Sequence, residues 1–315
     1  MVLEWENVAM QRRAVIAVIA AAMLFGTTGT ARSLGPEATS VWLVGTIRIA
    51  LGAVTLLACA LISRERSAAV GTKAVTFIAI GGLGAAIYQP AFFAGVEACG
   101  VAIGTVIALG SGPMFAGGID RLIRQRPLQQ RWFIGTAVML IGVAVLVMTS
   151  SSGSDETQLA ISGVLFALAA GLGYAMYAQT TSSLIELKLP STIALAAQFG
   201  VAAIILSPFM IIKVLAGTEV TWIWSASGAV MLVHLGVLTA GVAYMLYGWG
   251  LRVLPASTAV SITLIEPLTA AGAAYFVLGE RLSASGVLAG IVVLIGLMVL
   301  TFERQPPPHT QQENR

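Results

Sequence analysis

Ionisable side chains inside long apolar segments are the features of this sequence best suited to chemistry. Glu266 precedes Pro267 near the middle of one such segment, while Arg48 and His234 lie in two others. A charged side chain at the centre of a membrane span costs roughly 2.5–3.5 kcal/mol on insertion scales. Each of these groups therefore needs a partner or a water-filled cavity.

Two interpretations of each group stay open. Glu266 is either a contact for a substrate amine or a proton carrier, or else a structural carboxylate paired with Arg48. Arg48 either binds a substrate carboxylate, whose geometry matches the guanidinium fork, or forms an internal ion pair or reaches toward the interface. His234 either relays protons at physiological pH or forms a neutral hydrogen bond between helices. We expect Glu266 and His234 to be the candidates for proton coupling.

Tyrosine and glutamine side chains recur in the apolar segments and predict a hydrogen-bonding cavity wall suited to an amphipathic solute. With Arg48, the predicted wall comprises Tyr88, Gln89, Tyr174, Gln198 and Tyr244. The alternative is that these side chains belong to helix packing or to the membrane interface. Prolines inside helices remove a backbone donor and predict kinks, here at Pro90, Pro113 and Pro267.

The composition is that of a membrane protein with several spans. Of 315 residues, 57% are hydrophobic and 10% are charged, against about 25% charged in soluble domains. Hydropathy in windows of roughly 19 residues predicts ten transmembrane helices, at about 14–31, 40–62, 74–95, 100–119, 132–150, 159–184, 191–214, 225–249, 256–279 and 283–302. The polar tail 304–315 is predicted to be disordered.

Lysine and arginine fall mainly on one side of the predicted spans. With both termini in the cytoplasm, the inner loops receive most of these residues and the outer loops receive only Arg32, Lys213 and Arg281. This bias predicts a multi-pass protein of the cytoplasmic (inner) membrane in contact with lipid headgroups. The basic residues thus mark orientation, and we expect no nucleic-acid partner despite the pI of about 9.1.

Part of the sequence is repeated. Residues 88–149 align without a gap on residues 242–303, so that Pro113, Gly118 and Gly142 match Pro267, Gly272 and Gly296. The copies lie five predicted spans apart, and because five is odd, equivalent helices cross in opposite directions. The fold prediction is therefore an all-α membrane protein with two inverted five-helix repeats, residues 1–150 and 159–303. Inverted repeats predict alternating access.

Several motifs resemble the EamA family of the drug/metabolite transporter superfamily. They are Leu254-Pro255-Ala256-Ser257, Leu264-Ile265-Glu266-Pro267-Leu268, Leu278-Gly279-Glu280-Arg281-Leu282, a glycine-bearing last helix to Gly296, Arg48 in helix 2 and Phe25-Gly26 in helix 1. The resemblance implies ten helices around a central cavity, with helices 4–5 and 9–10 in support. It also implies export of small metabolites, often amino acids and sometimes drugs. The first repeat departs from the pattern, since Gly112-Pro113 and Arg126-Pro127 replace the acidic motifs.

The combined prediction is a secondary transporter that exports amino acids or similar small metabolites. A multidrug or a sugar/nucleotide-type transporter of the same fold is the alternative, and an intramembrane enzyme or a channel is a distant one. No nucleotide-binding motif occurs, and the only aspartate in the spans is Asp120 at a helix end. We therefore expect no catalytic residues, metal or cofactor. Protons are a permitted coupling partner.

Overall fold

The computed structural model describes residues 2–37, 39–65, 70–99, 101–150, 161–279 and 284–301. The predicted disordered tail and the junction at 151–160 between the predicted repeats lie outside these residues. So does most of the predicted turn at Gly279-Glu280-Arg281.

The described residues form ten long helices, one short 3-10 helix at Thr221–Trp224, and no strand. The helices are α1 Val2–Ser33, α2 Val41–Ile62, α3 Thr72–Cys99, α4 Val101–Leu122, α5 Gln130–Ser150, α6 Ile161–Glu186, α7 Ser191–Leu215, α8 Ala226–Gly250, α9 Ala256–Leu278 and α10 Ala284–Thr301. Seven of those described, α1–α3 and α6–α9, contain stretches long and apolar enough to cross a membrane. The all-α prediction is confirmed for this part of the chain, while ten spans in two inverted repeats stay a prediction.

Helices α8 and α9 depart from regular α geometry. The central part of α8, His234–Val242, is π-helical, and α9 contains the 3-10 turn Thr263–Ile265 and a final π turn, Ala274–Leu278. Pro267 has no N–H to bond to residue 263, and the turn before it tightens so that the Glu266 N–H bonds to the Thr263 carbonyl. Such irregular turns are frequent at functional sites.

Glycines allow the most extensive helix pairs to approach closely. A Cβ built at Gly84 in α3 would lie 2.7 Å from the Gly173 carbonyl oxygen in α6, and one built at Gly173 would lie 2.6 Å from the Gly84 carbonyl oxygen. The two backbones are therefore in direct contact. Small residues at such crossings are how helices pack in a membrane.

Helices α5 and α10 cross at two glycines related by the sequence repeat. A Cβ at Gly142 would lie 3.0 Å from the Ala289 carbonyl oxygen, and a Cβ at Gly296 would lie 2.8 Å from the Gly135 carbonyl oxygen. The shift that carries 142 onto 296 also carries 135 onto 289. The first contact is thus the symmetry-related copy of the second.

One face of the molecule is packed more tightly than the other. The buried residues of α7 lie between Ser191 and Leu206, and those of α9 between Ala256 and Ile265. From Glu266 to Leu278, no residue of α9 is buried. The start of α7 adjoins the end of α8, since Gly248 faces Ser191. The start of α9 adjoins the end of α4, since Asp120 bonds to Ser257. We call this tightly packed side the closed face.

Candidate functional site

A positive and a negative charge meet near the middle of α2, α8 and α9. Arg48 on α2 donates from Nε to the Thr239 hydroxyl on α8 at 3.2 Å. The Thr239 hydroxyl in turn donates to the Leu235 carbonyl at 2.7 Å. Arg48 also interacts electrostatically with Glu266 on α9. The structure thus brings together the two charged groups that the sequence singled out.

Close approach of α1 positions Glu266. A Cβ at Gly26 would lie 2.8 Å from the Glu266 carbonyl oxygen and 2.9 Å from the Ala270 nitrogen. Thr269 donates to the same Glu266 carbonyl at 2.8 Å. Glu266 itself is half-buried and starts the helical segment that follows the 3-10 turn. Its carboxylate therefore lies where the buried half of α9 ends.

Three predicted tyrosines surround this charged centre. Tyr88, Tyr174 and Tyr244 all interact electrostatically with Glu266, and Tyr88 and Tyr244 also interact with Arg48. The Tyr174 ring lies 5.7 Å from the Tyr88 ring, measured between centroids. Five of the predicted site residues thus form one group, contributed by α2, α3, α6, α8 and α9.

Aromatic rings on the closed-face side of this group form a continuous layer. Tyr244 packs 4.8 Å from Phe25 and 4.6 Å from Phe199, between ring centroids, and Tyr174 stacks on Tyr177 at 5.1 Å. Aromatic pairs at such separations contribute about 0.5–1.5 kcal/mol beyond area burial. Tyr174 and Tyr244 thus belong both to this aromatic layer and to the group around the charged centre.

Hydroxyl groups tie this layer together across three helices. The Tyr174 hydroxyl lies 2.6 Å from the Thr263 hydroxyl of α9. The Tyr177 hydroxyl lies 3.1 Å from the Tyr244 hydroxyl of α8. Buried tyrosine hydroxyls find partners in this way. Helix α6 is therefore joined to both irregular helices.

His234 lies one turn before Thr239, at the first residue of the π-helical part of α8. Its Nε2 is 2.9 Å from the Thr27 hydroxyl of α1. The Thr27 hydroxyl also lies 2.7 Å from the Leu24 carbonyl oxygen, to which it donates. The histidine tautomer decides which of the two groups donates in the contact with His234. The hydrogen bond joins α1 to α8; proton coupling through His234 stays a prediction.

Two predicted wall residues lie apart from this group. Gln198 on α7 is fully buried, accepts from Thr181 at 2.8 Å and donates to Thr180 at 3.0 Å. Gln89 is buried and lines a cavity of about 170 Å³ between α2, α3 and α7, together with Trp42. Substrate contact by either glutamine stays a prediction.

The three predicted kink sites differ in local structure. Helices α3 and α4 continue without interruption past Pro90 and Pro113, so kinks there stay predictions. Only at Pro267 does the helix change type, through the 3-10 turn.

Sequence reasoning missed several residues that complete the group. Phe199 and Thr239 are ordinary apolar and hydroxyl residues, and their roles depend on helix neighbours far away in sequence. Spacing on α8 was the one available signal, because Thr239 lies near His234 and Tyr244. Among the described residues, no group of three His, Cys, Asp or Glu could hold a metal ion.

The comparisons agree with this architecture. The EamA-like transporter family matches residues 12–148 and again 161–302. An uncharacterized transporter, YwfM, of Bacillus subtilis is 34% identical over 284 residues, 90% of this chain and 92% of that protein. The threonine/homoserine exporter RhtA of Salmonella typhimurium is 28% identical over 266 residues, 84% and 83% of the two chains.

A solved crystal structure is similar to the chain with a TM-score of 0.76 at 18% identity, covering 92% of this chain and 96% of the other. That likeness shows the fold. The two family matches together cover most of the sequence, and seven of the described helices are long and apolar enough to cross a membrane. The chain belongs to the EamA-like transporter family and is a multi-pass membrane protein.

Proposed function

We propose that this chain is a secondary transporter that exports small amphipathic metabolites, with amino acids as substrates, across the cytoplasmic membrane by alternating access. The observation that carries the proposal is the electrostatic interaction of Arg48 with Glu266 within one tyrosine-lined group. An amino acid carries a carboxylate and an ammonium group. A guanidinium suits the first, and a carboxylate suits the second.

Helix packing supports the inverted repeat. In the predicted repeat, each helix corresponds to the helix whose number is five higher or five lower. The α3–α6 contact then corresponds to α8–α1, α4–α6 to α9–α1, and α3–α7 to α8–α2, and all of these contacts occur. The α2–α7 and α5–α10 contacts convert into themselves. Such packing is expected of ten spans related by a two-fold axis in the membrane plane.

The positive-inside bias supports a cytoplasmic location for the closed face. In this orientation, the aromatic layer and the starts of α7 and α9 seal the inner side. The half-buried residues from Glu266 onward face the outer side. The conformation described here is therefore the one in which substrate is released outward.

Substrate recognition is assigned to the predicted wall residues in two groups. Arg48 binds the carboxylate and Glu266 the ammonium, while Tyr88, Tyr174 and Tyr244 contact the side chain. Gln89 and Gln198 belong to the neighbouring walls formed by α3 and α7. The name of the Salmonella relative, a threonine/homoserine exporter, supports hydroxylated amino acids as the first substrates to test.

Reconstituted liposomes provide the test of the substrate class. Vesicles preloaded with unlabelled L-threonine should take up labelled L-threonine by counterflow, and a panel of amino acids, sugars and drugs should be tested as competitors. Saturable counterflow is expected of a transporter and not of a channel. If no amino acid exchanges or competes, the substrate assignment is wrong.

Substitutions test the charged pair. Losing a hydrogen bond to a charged group costs about 1.5–3 kcal/mol, so Arg48→Gln should raise the KM for L-threonine more than tenfold. Arg252→Gln, at an exposed arginine, is the matched control and should leave KM unchanged. An unchanged KM in Arg48→Gln would remove Arg48 from the substrate site.

Proton coupling has its own test. If Glu266 also carries the coupled proton, Glu266→Gln should abolish transport driven by a pH gradient, while counterflow continues with a raised KM because the ammonium contact is weakened. His234→Gln tests the second candidate in the same assay. Full gradient-driven transport by both variants would mean that neither Glu266 nor His234 carries the coupled proton.

A further inference from the structure

A second cavity lies on the closed face, away from the Arg48–Glu266 centre. It has a volume of about 230 Å³, and its lining includes Gln11, Asp120, Arg126, Trp132 and Thr258. Pockets for drug-sized ligands measure about 300–1,000 Å³. The size therefore favours a small metabolite.

Asp120 gives this cavity a buried acceptor. It lies in the last turn of α4 and is fully buried. Its Oδ2 accepts a hydrogen bond from the Ser257 N–H at 3.1 Å. The N-cap residue of α9, Pro255, contributes no side-chain hydrogen bond. The Asp120 carboxylate therefore caps α9 in its place. Within the described part of the chain, Asp120 Oδ1 has no hydrogen-bond partner. A buried carboxylate oxygen without a partner is costly, which indicates that a ligand donor belongs there.

Trp132 gives the same cavity a buried donor. The six-membered part of its indole faces Gly117 of α4, which has no side chain to exclude it. The tryptophan is 9% exposed, and among the described residues its Nε1–H has no acceptor. Indole nitrogens only donate. The ligand therefore carries an acceptor as well as a donor.

The charges around the cavity restrict the ligand class further. Arg126 also lines the cavity, so the lining contains one cationic and one anionic residue. The Arg126 guanidinium also pairs with Glu186. A simple cation would be repelled by Arg126, and a simple anion would be repelled by Asp120. A zwitterion satisfies both.

We propose that this closed-face cavity is a second binding site for a small zwitterionic amino acid, with the ammonium on Asp120 Oδ1 and the carboxylate on the Trp132 Nε1–H beside Arg126. The inference rests on the proposed function, which supplies the ligand class and the cytoplasmic side. Asp120 contacts Ser257 on α9. Ser257 lies nine residues before Glu266, so the two residues are about 13 Å apart along the helix. The cavity thus holds an amino acid on the inner side while the charged centre faces outward.

A cysteine at the half-buried cavity residue Thr258 reports on occupancy. The full-length chain, with Cys59→Ala and Cys99→Ala, carries Thr258→Cys and is labelled in detergent with N-ethylmaleimide. L-threonine at about ten times its dissociation constant should slow labelling about tenfold, as single-site occupancy requires. L-alaninol, which lacks the carboxylate, and L-lactate, which lacks the ammonium, should protect less at the same concentration.

Matched variants separate this cavity from other sites. Asp120→Asn and Trp132→Phe should each raise the protecting concentration of L-threonine about tenfold. Glu65→Gln is the control. Like Asp120, Glu65 has one carboxylate oxygen that accepts a hydrogen bond, here from Thr192, and one that has no partner among the described residues. Glu65 does not line the cavity. Arg48→Gln, in the other site, should retain protection.

The outcomes distinguish the two proposals. If L-threonine exchanges in counterflow but does not protect Thr258→Cys, the second site is wrong and the proposed function stands. If protection survives Asp120→Asn and Trp132→Phe but is lost in Arg48→Gln, it arises from the charged centre, and the second site is again wrong. If no amino acid exchanges or protects, both proposals fail.

Discussion

The glycines of the repeat allow a quantitative test of the two-fold architecture. A Cβ at Gly142 would lie 2.8 Å from the Val293 nitrogen, and a Cβ at Gly296 would lie 2.7 Å from the Met139 nitrogen. Both contacts are to backbone, so neither can be relieved by a side-chain rotation. At the other matched pair, Gly118 and Gly272, nothing lies within 4 Å of a Cβ.

Substitution by alanine should therefore act in matched pairs. Overpacking costs about 1–3 kcal/mol, and replacing a helical glycine by alanine returns roughly 0.5–1 kcal/mol. The net loss of unfolding free energy should be about 0–2.5 kcal/mol for Gly142→Ala and, equally, for Gly296→Ala. Gly118→Ala and Gly272→Ala should be neutral or stabilising by up to about 1 kcal/mol.

Unfolding by SDS titration in mixed micelles measures these differences, and counterflow confirms that each variant is folded. The open pair is the control for the crowded pair, since all four positions are helical glycines of the same repeat. The reasoning is refuted if Gly118→Ala costs as much as Gly142→Ala. It is refuted equally if Gly142→Ala and Gly296→Ala differ by more than about 2.5 kcal/mol, the width of the predicted range.

Four further substitutions test three sets of contacts. Gln198→Leu removes two interhelical hydrogen bonds of about 0.6 kcal/mol each, so the unfolding free energy should fall by about 1 kcal/mol. An unchanged KM for substrate in this variant would show that Gln198 serves helix packing. Arg124 and Arg126 both pair with Glu186, but their side chains are 11% and 42% exposed, respectively. Arg124→Gln should therefore lower the unfolding free energy by about 1–3 kcal/mol, and Arg126→Gln by less than about 1 kcal/mol. Equal losses in SDS titration would contradict this. Tyr177→Phe should cost about 0.5–1.5 kcal/mol, and no loss of stability would mean that its hydroxyl contact is not maintained.

Much of the fold could be predicted from sequence because membrane insertion constrains it strongly. Apolar length indicates helices in hydrocarbon, and these helices occur in the described chain. The grouping of Arg48 with Glu266 could also be anticipated, because an isolated charge in a span needs a partner. These inferences require only local composition and the cost of burying charge.

The remaining contacts depend on how helices rotate and cross, which local composition does not encode. Gln198 resembles a cavity residue in sequence, yet its amide bonds to two threonines of the adjacent helix, α6. Asp120 resembles a boundary residue at a helix end, yet it is fully buried and caps α9. In both cases the deciding partner lies far enough along the chain that only tertiary packing brings it near.

The repeat preserves packing while the acidic groups differ between its halves. Gly112, the counterpart of Glu266, faces the Tyr174 ring, and a Cβ there would lie 3.3 Å from that ring. The first repeat thus makes room for the tyrosine, and the second supplies the charge beside it. Asp120 likewise caps α9, while its counterpart Ala274 has no group that could cap α4. Because Asp120 supplies a charge-assisted cap that its counterpart Ala274 cannot supply, we expect the two gating states of the proposed cycle to differ in energy even though the sequence repeat relates their helices.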